Sequence, residues 1–202
     1  MEIERRFTND WFDRDAKHKF ERYLSELDIK TYLEIGVCEG ASMLWVLDNL
    51  KPEYACGIDN YRSHNARQQA SRDIYKENAL HNLMDGIEGG TIELIIEDSH
   101  KFLAAEDPGK YDLIYIDGSH TGWGAMVDML LAYKLLTKHH RTIVLDGEEK
   151  QVGGTMVIDD LNRTWNRFPE VKVAQMQFEL LMHGHVRRIW LDGRQCAYVR
   201  TR

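Results

Sequence analysis

Three aspartates follow two apolar segments of the sequence and carry its clearest signal for chemistry. Asp117 lies in IDGSH (116–120), and Asp159 and Asp160 end IDD (158–160). Carboxylates that are brought together repel one another unless a cation lies between them or some are protonated. Oxygen ligands of this kind suit Mg²⁺, with Mn²⁺ or Ca²⁺ as substitutes. The aspartates therefore predict a divalent metal site. In the alternative, Asp117 binds cofactor or substrate directly, and the Asp159-Asp160 pair is a solvated cap.

His120 lies three residues after Asp117, in the loop that follows the same apolar segment. An imidazole changes its protonation near neutral pH, so it can accept a proton from a substrate hydroxyl. This position makes His120 a candidate catalytic base, and Asp117 is the second candidate catalytic residue. The alternative is a histidine with a structural role.

A glycine turn earlier in the chain predicts a cofactor site. The segment LEIGVCEG (33–40) joins an apolar strand to a helix, and Gly36 and Gly40 let the backbone approach a ligand closely. Asp59 ends the second apolar segment, about 20 residues after the turn, where an acidic residue can accept both ribose hydroxyls. Because Gly36-x-x-x-Gly40 differs from the GxGxxG pattern of NAD-binding proteins, it disfavours a dehydrogenase. A tight turn and an ordinary strand-end aspartate are the structural alternatives.

The third apolar segment ends in Glu97-Asp98-Ser99. A carboxylate and a hydroxyl at this position can hydrogen-bond the edge of an adenine ring. Asp98 or Ser99 can also cap a following helix, since both side chains accept hydrogen bonds from backbone N–H groups. The two roles are compatible.

The order of the apolar segments predicts the elements that must position these side chains. Strands are expected at 31–37, 54–59, 92–98, 111–117 and 154–160, with helices at about 12–27, 41–50, 126–136 and 171–182 and a polar, helix-prone stretch at 62–85. Alternating strands and helices favour a parallel sheet with helices on both faces, whose ligands bind at the carboxyl ends of the strands. Asp192-Gly193, between 185–191 and 194–201, predicts a final antiparallel hairpin, and TIVLDGEEK (142–150) predicts a small inserted one.

The size and charge of the chain narrow the classes of protein. Its 202 residues suit a single domain, 1–202, in which 1–29 form a helical segment and 138–152 an insertion before the fifth strand. A formal net charge of -7 disfavours nucleic acid and favours a small-molecule substrate. The charged first residues are unlike a signal peptide, and no apolar run is long enough to cross a bilayer. We therefore expect a cytoplasmic protein with no membrane partner, either a monomer or a homo-oligomer.

Taken together, the motifs resemble a known family. LEIGVCEGAS, GIDN, IIEDS, YDLIYIDGSH and GGTMVIDD resemble the class I S-adenosylmethionine-dependent methyltransferases. More narrowly, they resemble the subgroup labelled methyltransferase family 24, which is related to the macrocin-type sugar O-methyltransferases. The resemblance implies a Rossmann-like three-layer α/β sandwich. Its sheet would have seven mostly parallel strands and end in the C-terminal antiparallel hairpin.

The same resemblance implies a role for each candidate residue. S-adenosylmethionine would bind with its methionine end at Glu34, Gly36 and Gly40, its ribose at Asp59 and its adenine between Asp98 and Ser99. Asp117 would also bind the cofactor. Asp117, Asp159 and Asp160 match the family's metal ligands, and His120 matches the histidine of its IDGxH motif.

We therefore expect methyl transfer to a small hydroxylated molecule, such as a sugar or a secondary metabolite, with Mg²⁺ as the assisting ion. One alternative is a metal-independent N- or protein methyltransferase. Another is a cofactor-binding module that transfers nothing. Trp11, Trp123 and Trp165 are candidate acceptor contacts, with positions in the core or on the surface as the alternative.

Overall fold

Strands alternate with helices along the chain, as the sequence predicts. The computed structural model describes residues 4–63, 65–138, 141–145, 147–162 and 169–202. The helices in these ranges are a π-helical turn (Phe12–Ala16), α1 (Lys17–Tyr23), α2 (Ala41–Asn49), α3 (Ala66–Asn82), α4 (Met84–Glu88), α5 (Ser99–Ala105), α6 (Gly122–Leu135) and α7 (Glu170–Leu181). The strands are β1 (Thr31–Ile35), β2 (Tyr54–Ile58), β3 (Ile92–Ile95), β4 (Leu113–Ile116), β5 (Arg141–Leu145), β6 (Glu148–Val152), β7 (Thr155–Ile158), β8 (Val186–Asp192) and β9 (Gln195–Arg200).

Seven of these strands form the main sheet, in the order β3-β2-β1-β4-β7-β9-β8. The first five in this order are parallel, whereas β9 is antiparallel to both β7 and β8. The predicted Rossmann-like fold with its C-terminal hairpin is thereby confirmed. Strands β5 and β6 pair separately as the small inserted hairpin, whose turn residue Asp146 lies outside the described residues.

A row of isoleucines marks the carboxyl edge of the parallel strands. These residues pair in register across the sheet, in the order Ile95, Ile58, Ile35, Ile116 and Ile158. The chain therefore leaves each strand at the same level, and the residues that follow lie along one edge. Four of these next residues are predicted site residues, namely Gly36, Asp59, Asp117 and Asp159.

Apolar side chains cover both faces of the sheet and create the three layers. On one face, Met129 of α6 and Phe178 of α7 are buried against the sheet. On the other face, Phe20 of α1 and Met43 of α2 are buried with Tyr115 of β4. Within the described ranges, no helix combines the length and the apolar composition needed to cross a membrane.

Two elements differ from the sequence-based prediction. The helix predicted at 12–27 begins as a π-helical turn and ends at Tyr23. The third strand ends at Ile95, because the side chain of Asp98 accepts a hydrogen bond from the Lys101 backbone N–H and begins α5, a helix that was not predicted. The N-cap role weighed for Asp98 is the signal that identifies this helix.

Candidate functional site

The glycine turn after β1 packs directly against the chain that leaves β4. Gly36 has a φ of +93°, and its backbone N–H donates to the Ile58 carbonyl at 2.8 Å. A Cβ atom at this position would lie 2.2 Å from the carbonyl oxygen of Asp117. Only glycine fits a positive φ and such a close approach together. Gly36 thus fixes the distance between the glycine turn and Asp117.

Glu34 is the buried carboxylate beneath this turn. The Tyr32 hydroxyl donates to it at 2.8 Å, and the Ser42 hydroxyl, from the first turn of α2, also donates to it. Burial raises the pKa of Glu34 to about 7, although both hydrogen bonds act in the opposite direction. The carboxyl group therefore changes charge near neutral pH.

Asp59 joins the glycine turn to the loop after β2. One of its oxygens accepts from the Cys38 backbone N–H at 3.0 Å, and the other accepts from the Tyr61 N–H at 2.9 Å. Burial raises the pKa of Asp59, while these two backbone N–H groups favour its charged form. Each oxygen keeps a further lone pair, so the oriented carboxylate can still accept from a ligand.

A cavity of about 750 Å³, which we call the second cavity, lies beyond the ends of β2 and β3. Its lining is Asn60, Arg62, Ser63, Gln69, Ile96, Glu97, Asp98 and Lys101. The predicted adenine contact Asp98 is therefore at this cavity as well as at the start of α5. The hydroxyl of Ser99 instead donates to Asp128 at 2.8 Å, on helix α6.

Three side chains from two loops converge at the ends of β4 and β7. Asp117, His120 and Asp160 each direct one ligand atom to a group in which all the atoms lie within 4.8 Å of one another. The Nε2 atom of His120 is 2.7 Å from the Oδ2 atom of Asp160. Two carboxylates and an imidazole at this spacing can hold a divalent cation.

Both nitrogens of His120 face oxygen atoms. Its Nδ1 atom is 3.0 Å from the Gly118 carbonyl, which can only accept, so the hydrogen atom lies on Nδ1. The Nε2 atom then needs either a second proton or a cation to approach Asp160 at 2.7 Å. His120 thus forms part of the carboxylate cluster and directs neither nitrogen at a separate substrate.

Asp159, a predicted metal ligand, lies beside the group of Asp117, His120 and Asp160 and is not one of its three members. Its carboxylate accepts from the Tyr115 hydroxyl, from the Gln195 amide at 2.6 Å and from the Asp160 backbone N–H at 2.6 Å. Tyr115 and Val157 are buried together on one face of the sheet, and the hydrogen bond from Tyr115 holds the Asp159 side chain next to that face. Burial raises its pKa. In the group that the structure assembles, His120 takes the place predicted for Asp159.

Arg194 is a site residue that the sequence analysis missed. Its guanidinium contacts Oδ1 of Asp160 and lies 3.1 Å from Oδ2 of Asp15. The hairpin turn consists of Gly193 and Arg194, because Asp192 pairs with Gln195 as the last residue of β8. Since β9 runs antiparallel to β7, its first residues lie at the carboxyl edge. An antiparallel last strand was the signal that could have identified this turn as part of the site.

The N-terminal segment (residues 5–17) forms the outer wall of a cavity of about 620 Å³, which we call the main cavity because both the glycine turn and the aspartates line it. The inner wall includes Gly36, Tyr115, Asp117, Asp159 and Asp160, with Arg194 at the side. His120 belongs instead to a pocket of about 10 Å³ behind Asp117. The apolar part of the main cavity's lining consists of Phe7, Trp11 and Phe12 of the N-terminal segment together with Leu44 and Trp45 of α2.

Buried Glu39 fastens the N-terminal segment over the glycine turn. Its carboxylate accepts from the Thr8 backbone N–H and hydroxyl, from the Asn9 amide at 2.6 Å and from the Asn78 amide at 2.7 Å. The backbone of Arg6 exchanges two further hydrogen bonds with the Asn82 amide. The outer wall of the cavity is therefore held by several specific contacts.

The three candidate tryptophans have different positions. Trp11 lines the main cavity and meets Tyr75 edge-on at a ring distance of 6.1 Å. Trp123, in the first turn of α6, is 78% exposed and does not line that cavity. Trp165 lies outside the described residues.

The chain matches one protein-family model, described as a methyltransferase domain, over residues 33–146. This range covers more than half of the 202 residues and includes the glycine turn, Asp59, Asp117 and His120. No curated protein matches the chain significantly.

Several solved structures have a similar fold. An O-methyltransferase from Bacillus cereus in complex with SAH has a TM-score of 0.61 and 19% identity, and the match covers 92% of this chain and 81% of that one. A putative rRNA methylase from Clostridium thermocellum has a TM-score of 0.63 and 10% identity, over 93% and 98% of the two chains. A putative caffeoyl-CoA O-methyltransferase from Staphylococcus aureus has a TM-score of 0.57 and 15% identity, and the match covers 96% of this chain and 85% of that one. At these identities the likeness shows the fold.

Proposed function

Since the chain belongs to the family of methyltransferase domains, we propose that it methylates a hydroxyl group of a small molecule with the help of a divalent ion. The family and the fold make it a class I enzyme that depends on S-adenosylmethionine. The observation that carries the finer proposal is the group of Asp117, His120 and Asp160, whose two aspartates line the main cavity next to the glycine turn.

The proposed cofactor site runs along the carboxyl edge from the glycine turn to the second cavity. Gly36 lines the main cavity, so the methionine end lies there beside the glycine turn, above Glu34. Asp59 binds the ribose hydroxyls with its remaining lone pairs. The cavity beside Asp98 accommodates adenine. Ser99 orients α5 through Asp128, and because its hydroxyl hydrogen is donated to that carboxylate, it can meet the cofactor only as an acceptor.

The donor set fits a divalent ion: its two carboxylates suit Mg²⁺ and Mn²⁺ alike, and its imidazole nitrogen favours the transition metal Mn²⁺ of these two. Asp117 and Asp160 offer carboxylate oxygens and His120 offers a nitrogen. Imidazole nitrogen suits transition metals, whereas Mg²⁺ prefers an all-oxygen environment. When bound there, such an ion would lower the pKa of an acceptor hydroxyl and offset the charge that develops on its oxygen.

We assign different roles to Asp117 and His120 within the cluster. Asp117 lines the main cavity, so it can accept the proton of an acceptor hydroxyl and can contact the methyl end of the cofactor. His120 lies behind it with both nitrogens engaged, which supports a role as ligand and partner of Asp160. The interpretation of His120 as the catalytic base thus gives way to Asp117 in this proposal.

The acceptor occupies the part of the main cavity between the N-terminal segment and the cluster. Its apolar wall of Trp11, Phe12 and Trp45 favours a molecule with an apolar face, while Asp117 faces its hydroxyl group. A cavity of about 620 Å³ that also holds the methionine end of the cofactor limits the acceptor to a small molecule.

Methyl transfer from labelled S-adenosylmethionine to a panel of small hydroxylated and amino compounds tests this proposal. We expect methyl ethers to form, with a rate that rises on addition of Mn²⁺ and falls on chelation. Asp117→Asn should remove the activity while S-adenosylhomocysteine still binds. Methylation of amines alone would contradict the assignment of the acceptor, and ether formation that is indifferent to chelation would contradict that of the metal.

One observation favours a second candidate, a methyl transfer that needs no metal ion. Arg194 already supplies a positive charge to Asp160, so the cluster has a cation of its own. In this case the Arg194→Gln variant would lose activity in the presence and in the absence of Mn²⁺. The metal-dependent enzyme would keep its activity with Mn²⁺ present.

A further inference from the structure

The turn between β8 and β9 is docked on the chain that leaves β7. The backbone N–H of Leu161 donates to the Arg194 carbonyl at 2.8 Å, and the Asn162 side-chain amide donates to the Gly193 carbonyl at 2.9 Å. These two hydrogen bonds fix the backbone of Arg194 beside Asp160. The contact between the side chains of Arg194 and Asp160 thus follows from the position of the hairpin turn.

The guanidinium of Arg194 joins two carboxylates from opposite ends of the chain. It contacts Oδ1 of Asp160, and the other oxygen of Asp160 faces Nε2 of His120 at 2.7 Å. It also lies 3.1 Å from Asp15, in the π-helical turn of the N-terminal segment. The side chain of Asp160 is 8% exposed and that of Arg194 is 39% exposed, so the arginine reaches a buried carboxylate from the solvent side.

We propose that Arg194 is a built-in cation that competes with a divalent ion for Asp160, and that Asp15 holds Arg194 when the ion displaces it. This inference rests on the metal site of the proposed function. A guanidinium and a divalent ion at one carboxylate repel each other, and this repulsion is strong in a partly buried site. Arg194 therefore weakens ion binding, and a bound ion shifts Arg194 towards Asp15.

The exchange links the ion to the wall of the acceptor cavity. Asp15 belongs to the N-terminal segment, and Arg194 connects this segment to Asp160. Coupling between two binding events is reciprocal, so an ion that takes Asp160 from Arg194 also removes one link between the segment and the sheet. The contacts of Glu39 keep the segment attached at its other end. Arg194 is thus a positioning residue for both the cluster and the segment.

The affinity of the full chain for Mn²⁺, measured by calorimetry with S-adenosylhomocysteine present, tests this competition. Arg194→Gln should bind Mn²⁺ more tightly than the wild type by roughly 5- to 150-fold, the usual range for coupled sites. Arg194→Lys keeps the positive charge and should stay near the wild-type affinity. Asp15→Asn should weaken Mn²⁺ binding, because Arg194 then has only Asp160 as an ion-pair partner and is harder for the ion to displace. A structural role of Arg194 would not give opposite effects in the two partners of one ion pair.

The outcomes separate this inference from the proposed function. Tighter binding in Arg194→Gln together with weaker binding in Asp15→Asn supports the competition. Equal Mn²⁺ affinity in the wild type and Arg194→Gln overturns it and leaves the metal-assisted function standing. If neither protein binds Mn²⁺ while both bind S-adenosylhomocysteine, the metal part of the proposed function fails, and the competition fails with it.

Discussion

The two halves of the carboxyl edge are built from contacts of different range. In the cofactor half (Glu34, Gly36 and Asp59), the hydrogen-bond partners come from β1, the glycine turn, the first turn of α2 and the loop after β2, namely Tyr32, Cys38, Ser42 and Tyr61. In the carboxylate half (Asp117, His120, Asp160 and Arg194), the ion pair between Arg194 and Asp15 joins residues 179 positions apart.

This difference shows which contacts position the side chains in each half. Backbone N–H groups orient Asp59, so the cofactor half is fixed once the strand, the turn and the helix have formed. The carboxylate half needs the N-terminal segment and the C-terminal hairpin to reach their places, and its charges balance only then. We expect changes in the cofactor half to act on folding and cofactor affinity, and changes in the carboxylate half to act on ion binding and turnover.

The largest effect is expected from a substitution that disrupts the contact between the two halves, where Gly36 packs against Asp117. In Gly36→Ala the new Cβ would lie 2.2 Å from the Asp117 carbonyl at a φ of +93°, so the glycine turn must move away from β4. We expect a loss of about 3–5 kcal/mol of unfolding free energy, typical of overpacking combined with backbone strain. Urea unfolding monitored by circular dichroism measures it.

Gly90→Ala is the matched control for this substitution. Gly90 has a φ of +74°, and a Cβ atom added there would have nothing within 4 Å, so only the backbone cost of about 1–2 kcal/mol applies. Equal losses in both variants would mean that the close approach at Gly36 is unimportant.

The second prediction separates two residues inside the carboxylate half. Asp117→Asn should reduce turnover by roughly 10²–10⁴-fold at saturating cofactor and Mn²⁺, because it removes the proposed proton acceptor. His120→Asn should chiefly weaken Mn²⁺ binding, and excess ion should restore most of its turnover. If excess ion restores Asp117→Asn but not His120→Asn, the two roles are reversed, as the interpretation from the sequence alone would have it.

The contrast between the halves also explains what the sequence could predict. A strand, a glycine turn and an aspartate near the expected spacing are local patterns, so Gly36 and Asp59 could be placed on the sheet edge from the sequence alone. The register of the isoleucine row then aligns Asp117 with them. The fold follows from the same alternation of apolar segments.

The composition of the carboxylate half could not be predicted in the same way. Asp159 and Asp160 are neighbours in the sequence, but the left-handed backbone of Asp160, with a φ of +58°, turns its side chain away from that of Asp159. Arg194 meets Asp160 only after β9 has paired beside β7. Both facts depend on tertiary structure, and no local pattern of residue types encodes them.

The third prediction measures the cofactor half directly. Asp59→Ala should weaken S-adenosylhomocysteine binding by about 1.5–3 kcal/mol, the usual size for hydrogen bonds to a charged group. Asp98→Ala, at the exposed end of the second cavity, should weaken it less, because the side chain of Asp98 is exposed. Calorimetric titration of both variants gives the comparison, and an unchanged affinity in Asp59→Ala would remove Asp59 from the proposed cofactor site.

The last prediction concerns the buried charge beneath the glycine turn. Because the pKa of Glu34 is raised to about 7 in the folded chain, the native state holds its proton more tightly than the unfolded state does. The stabilisation from this proton is complete below the unfolded pKa of about 4.3 and is lost as the pH rises through the folded value.

Glu34→Gln carries no titrating group, and both its partners are hydroxyls, which accept as well as donate. The melting temperature of the variant relative to the wild type should therefore rise between pH 5 and pH 8, by about 2–4 °C for each kcal/mol. A second buried carboxylate, Asp128, has its pKa raised to about 6 by burial, so part of the pH dependence should remain in Glu34→Gln and become smaller when Asp128→Asn is added. A difference in melting temperature that stays constant over this range would mean that Glu34 keeps its charge when buried, and that its two hydroxyl partners outweigh the cost of burial.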